Sequence, residues 1–127
     1  MSFLISLLIK LNLAKKHRKN YIILKKSHFG ESILKLLFKK NLIKTYLFTK
    51  KFFIVFLKYN YTEPLVKNAK IISKSGKRIY ISHYKLMSLV YKNRTTFYFL
   101  STTNGLLEGK DALSLNIGGE LLFQITL

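Results

Sequence analysis

The sequence predicts an α+β chain of two small domains: an N-terminal α-β-α-β-β domain over residues 1–62 and a C-terminal β-rich domain with a short helix over 63–127. Three observations carry this. A long apolar segment with helical spacing opens the chain and is followed by short β-type runs. The only proline, Pro64, sits where composition and charge density change. Beyond it, apolar runs are separated by Gly, Ser and Asn in the manner of strands and turns.

Ser2 can cap a first helix reaching about Leu13. Ser2, Ser6 and Lys10 line one polar stripe; the other faces are Phe, Leu and Ile, which predicts a largely buried helix. Lys15, Lys16, His17, Arg18 and Lys19 read as a basic loop. Tyr21–Leu24 is a short strand. Ser27 is placed to cap a second helix, with Glu31 in its first turn and Lys39 and Lys40 in its last. Asn41 can take the left-handed conformation that closes it. Ile43–Thr49 and Phe52–Lys58 form a hairpin joined at Lys50-Lys51. In the second half the expected strands are Lys70–Ser73, Arg78–Ile81, Thr96–Leu100 and Glu120–Thr126. Ser75-Gly76 marks a turn, and Lys110–Leu115 a short helix ended before Gly118-Gly119.

Charge bounds the function. The 127 residues carry 23 Lys and Arg against 5 Asp and Glu, a formal net charge of +18. No small acidic substrate needs such an excess; a phosphate polymer or an anionic membrane surface does. With 49% hydrophobic residues the chain is no disordered tail. Residues 1–60 hold +13 of the net charge and residues 61–127 hold +5. Cores of this size are marginal alone, so a bound polyanion is expected to stabilise the fold. Only Arg18, Arg78 and Arg94 are arginines, while Lys, Ile, Asn, Phe and Tyr abound. All of these have A/T-rich codons, which points to an A/T-rich genome such as an organelle's.

Other classes find little support. Without cysteine there is no disulfide framework or thiolate chemistry. His17, His28 and His83 are scattered and predict no metal site. Glu108 and Asp111 stand at a helix start, where capping explains them better than acid–base catalysis. Gly118-Gly119 lacks the pattern of a dinucleotide or P-loop fingerprint. No apolar run reaches a membrane-spanning length, and Phe3–Ile9 lacks the flanks of a secretory leader. The chain also lacks the Arg/Ser-rich character of a mitochondrial transit peptide, so a mitochondrial location would imply synthesis inside the organelle. The alternative from another class is a peripheral protein binding anionic lipid, which would need an exposed amphipathic helix.

The most informative residues lie near the C-terminus. Ser101-Thr102-Thr103-Asn104-Gly105 offers successive groups that donate and accept, which suit ribose hydroxyls and base edges in an RNA minor groove. Taken alone, it is also an ordinary turn sequence. Gly118 and Gly119 imply a tight turn or a close approach of another chain, and Glu120 is placed to hold the Ser/Thr loop through its carboxylate. Lys15, Lys16 and Lys19, and separately Lys77 and Arg78 beside Gly76, form basic patches suited to phosphate. Tyr80 can stack on a base or belong to the core.

These segments resemble the C-terminal signature of the bacterial ribosomal protein S8 family: a Ser-Thr-Ser-Lys-Gly-like loop, a short helix, then Gly-Gly-Glu entering the last strand. Ser101, Thr102, Gly105, Gly118, Gly119 and Glu120 match, with the spacing kept. Upstream, Ser73, Gly76, Arg78 and Tyr80 match the family's Ser-x-Pro-Gly-x-Arg-x-Tyr segment. Ser75 replaces its proline, and Asn104 replaces a basic residue that would contact phosphate. Where the family's first helix carries Asp and Arg, this chain has Ser2 and Ser6, then Lys10 and Asn12. The resemblance implies a non-catalytic small-subunit ribosomal protein without cofactor or small-molecule substrate. Its partners would be a stem of the central domain of small-subunit rRNA, which it would help assemble for translation, and neighbouring ribosomal proteins, with no membrane. Combined with the codon bias it implies a mitochondrial small subunit, ahead of a plastid or an A/T-rich bacterium.

Overall fold

A computed structural model describes residues 2–60, 63–74 and 76–127, apart from the side chains of Ser2, Asn60 and Glu63. Two compact units are present, Met1–Asn68 and Ala69–Leu127.

The first unit follows the expected order: α1 (Ser2–His17), β1 (Tyr21–Lys25), α2 (His28–Lys39), β2 (Ile43–Phe48) and β3 (Phe52–Leu57). The strands form an antiparallel sheet of order β1-β3-β2. Alternation buries Ile22 and Leu24 on β1 and Phe53 and Val55 on β3, and Leu4, Leu7, Ile33, Leu34 and Leu37 complete the core from the helices. Gly30 on α2 is where the helices close up, since a Cβ there would fall 2.5 Å from the Phe3 ring. Ser27 caps α2 as expected, its Oγ accepting from the Gly30 N–H at 3.0 Å. Asn41 closes the helix with φ 59. Its N–H donates to Phe38 O, and that of Leu42 to Leu37 O, both at 3.0 Å, the paired bonds of a left-handed helix end. Two short strands, β4 (Tyr59–Asn60) and β5 (Glu63–Pro64), pair antiparallel on either side of the 62/63 junction read from the sequence.

Two readings of α1 need correction. The helix continues four residues past Leu13, so Lys15, Lys16 and His17 form its last turn rather than a loop. Cations there are favoured by the partial negative charge of a helix C-terminus. The helix ends where Arg18 takes φ 52 and Lys19 N–H donates to Ala14 O at 3.0 Å. Nor are all the apolar faces of α1 buried, for outside the Ser2-Ser6-Lys10 stripe Ile5, Ile9 and Leu13 form an exposed ridge. The capping assigned to Ser2 falls on a side chain outside the described residues.

The second unit begins within β6 (Asn68–Ile71) and continues with β7 (Tyr80–Ile81), α3 (His83–Lys92), β8 (Thr96–Thr102), β9 (Gly105–Glu108), α4 (Gly109–Ser114) and β10 (Gly119–Thr126). Its sheet runs β6-β10-β8-β9, with β7 also paired to β10. Leu86, Tyr98, Leu100, Ala112 and Leu121 form one core cluster, and Phe99 stacks on Phe123 with centroids 4.6 Å apart. Helix α3 and strand β9 are additions to the expected set. The expected short helix is α4, capped by Glu108, whose carboxylate accepts from Lys110 N–H at 2.7 Å.

Candidate nucleic-acid interface

The strand register gathers the three C-terminal segments into one place. Glu120 pairs with Ser101 on one side and with Tyr80 on the other, and Ser101 pairs with Leu106. Directly paired residues share a face, so Tyr80, Glu120 and Ser101 lie in one row across β7, β10 and β8. The row continues to Leu106 on β9, and the tip of the β8–β9 hairpin begins one residue pair further along, at Thr102 and Gly105.

The tip is held by its own residues. Thr102 pairs with Gly105, and Gly105 has φ 94 while Thr103 and Asn104 keep negative φ, the pattern of a turn closed by a left-handed glycine. Thr102 Oγ1 donates to Gly105 O at 2.8 Å and accepts from Asn104 N–H at 3.2 Å. Its hydroxyl therefore shapes the turn, whereas Ser101, Thr103 and Asn104 are exposed and leave their polar groups open to solvent. Gly105 serves the turn; nothing lies within 4 Å of where its Cβ would be.

Gly118 and Gly119 are close-approach positions, not turns. A Cβ on Gly118 would lie 2.2 Å from Ile81 O, and one on Gly119 2.4 Å from Ser101 O. These glycines let β10 sit tightly between β7 and the hairpin. The role given to Glu120 is corrected: its carboxylate lies 3.6 Å from the Arg78 guanidinium, while its backbone, not its side chain, joins the hairpin strand. The Arg78 side chain is 59% exposed and that of Glu120 12%, so the carboxylate orients a cation that still faces solvent. Tyr80 is 70% exposed, which excludes the core alternative.

The upstream turn is built on Lys74 and Lys77, whose backbones exchange two 3.0 Å hydrogen bonds around Gly76 at φ 84. Lys77 is exposed; Ser75 lies outside the described residues. Ser73, which the sequence marks only as a family match, is fully buried. Its Oγ donates to Leu121 O at 2.7 Å and accepts from Ile79 N–H at 3.0 Å, tying the turn to β10. Only its neighbours in space, distant in sequence, reveal this. Ser73→Ala is expected to lower stability by about 2 kcal/mol, because a buried N–H and C=O are left without their partner; urea titration followed by circular dichroism measures it.

In the first unit Lys15 and Lys16 lie on the last turn of α1 and line a shallow groove with Asn12, Lys67 and Asn68. Lys15 Nζ donates to Lys67 O at 2.6 Å. Lys19, two residues past the helix, is exposed, and its carbonyl accepts from the Tyr59 hydroxyl. Among the described residues no cluster of His, Asp or Glu is suited to a metal ion, and no helix is long and apolar enough to cross a membrane.

Comparison with known proteins gives a consistent picture. The family model described as Ribosomal protein S8 matches residues 3–126. Small ribosomal subunit protein uS8m of Acanthamoeba castellanii is 30% identical over 126 residues, spanning 98% of this chain and 99% of the relative. Small ribosomal subunit protein uS8 of Borreliella afzelii (strain PKo) is 36% identical over 124 residues, 94% of this chain and 92% of the relative. The uS8 protein of Chlamydia abortus is 34% identical over 121 residues, 91% and 90% of the two chains.

Proposed function

The chain belongs to the ribosomal protein S8 family, and from that membership we propose that it is a structural protein of the small ribosomal subunit that binds a stem of the central domain of its rRNA and supports assembly. The observation that carries this reading is the row Tyr80–Glu120–Ser101 beside the hairpin tip, with Arg78 oriented by Glu120. Ser101, Thr103 and Asn104 supply neutral donors and acceptors for a minor groove. Arg78 and Lys77 supply charge for the flanking phosphates, and Tyr80 an open ring. Thr102, Gly105, Gly118 and Gly119 hold this surface in shape. We take residues 63–127, the domain read from the sequence, which contains the whole second unit Ala69–Leu127, as the rRNA-binding part of the chain. No bond is made or broken, and no cofactor is required. A mitochondrial subunit fits the A/T-rich codon bias and the likeness to uS8m, while bacterial relatives share similar identity.

Binding of the purified protein to its cognate stem and to a random duplex of equal length, each across a salt series, tests the proposal; tighter binding to the stem is expected, and equal affinity contradicts it. The same assay separates the two basic regions. Replacing Lys15, Lys16 and Lys19 by Gln is expected to weaken all RNAs alike and to flatten log K against log salt by about 0.9 for each phosphate that is no longer neutralised. An unchanged slope removes these lysines from the interface.

A further inference from the structure

Among the described residues, the sheet of the first unit has a second face that neither α1 nor α2 covers. Its register sets out three rows: Tyr21, Phe56 and Thr45, then Ile23, Ile54 and Leu47, then Lys25 and Phe52. Tyr21, Ile23, Leu47 and Phe52 are each 45–55% exposed, and Ile54 and Phe56 are half-buried. At the β1 edge the face meets a groove where Leu13 of α1 joins Tyr21 and Ile23 beside the cations Lys10, Arg18 and Lys19. Contiguous apolar surface of this kind on a folded protein marks a place where something docks.

We infer that this face is the seat of a neighbouring protein that presents an apolar centre within a rim of carboxylates. The inference rests on reading the chain as a small-subunit component. The middle row is wholly aliphatic, which suits an interface core depleted of charge and gives a phosphate or a base edge nothing to bond. Tyr21 and Phe56 lean on one another at 49° with centroids 6.3 Å apart, so they make poor open platforms for stacked bases. The rim is cationic: Lys25 ends a row, and Lys44, Lys50, Lys51 and Lys58 are exposed on the same strands or their connections. β1, β2 and β3 contain no carboxylate. A second copy would set like against like, since residues 1–60 carry +13. A protein with Asp and Glu around its apolar patch satisfies both centre and rim.

The test places a photoreactive benzoylphenylalanine at Leu47 in the full chain within purified small subunits. An adduct that survives ribonuclease and maps to an acid-flanked apolar surface of another protein is expected. An adduct to rRNA, an adduct to a second copy, or no adduct overturns the inference. In parallel, Ile23→Lys with Leu47→Lys, both at exposed positions, is expected to leave stem binding unchanged while lowering occupancy of salt-washed subunits about tenfold, because two ammonium groups would be buried unpaired. Unchanged occupancy overturns it, as does co-flotation of the parent, but not the variant, with vesicles of anionic phospholipid. Failure of the parent protein to bind the stem would instead contradict the rRNA-binding reading.

Discussion

Replacing Gly118 by alanine is expected to destabilise the second unit by about 3 kcal/mol or more, the range in which backbone overlap cannot relax into solvent. The new Cβ would stand 2.2 Å from Ile81 O and 3.0 Å from His83 N, all backbone and all fixed by strand pairing or the start of α3. Gly119→Ala, at 2.4 Å from Ser101 O, should follow closely and push β10 off the β8–β9 hairpin. Gly105→Ala is the contrast. It has open space but a left-handed φ, so its expected cost is about 1–2 kcal/mol. Urea titrations of the three variants, with and without the cognate stem, give the order directly. Bound RNA should raise every midpoint by mass action. A Gly118→Ala protein as stable as the parent would mean that β10 does not pack as described.

The second large effect concerns affinity. Ser101→Ala, Thr103→Ala and Asn104→Ala combined should weaken binding to the cognate stem about a hundredfold, from three hydrogen bonds of about 1 kcal/mol each. Binding to random duplex, dominated by phosphate contacts, should barely change. Thr102→Ala should also weaken the cognate complex, but by loosening the turn its hydroxyl holds. That distinction appears as a change in hairpin amide protection, which the triple variant should lack. Equal weakening on both RNAs would remove the hairpin from sequence-selective binding.

Much of the first unit is legible in the sequence because its signals are local. Ser27 and Asn41 bracket α2 with side chains and conformations that act within a few residues, and alternation across Tyr21–Lys25 and Phe52–Leu57 sets the buried faces. The end of α1 is not legible, because Arg18 closes it in a conformation usually marked by Gly or Asn. Helix α3 escapes notice although Ser82 caps it and Leu86, Leu89 and Val90 keep helical spacing; it buries only Leu86 fully and sits between two β-type runs. At the candidate site the motif residues are visible, but not their division of labour. That Thr102 serves the turn follows from its own hydroxyl bonds. That Glu120 faces Arg78 and that Ser73 anchors the upstream loop depend on pairings between segments far apart in the chain.

The absence of native cysteine makes one measurement especially direct. Thr103→Cys creates a single attachment point at the hairpin tip for an iron chelate that releases hydroxyl radicals. In reconstituted small subunits, cleavage is expected on both strands of one rRNA stem, strongest across its minor groove. Cleavage no stronger than that from free chelate, or scattered over unconnected parts of the rRNA, would contradict the reading of this hairpin as the element that grips the rRNA.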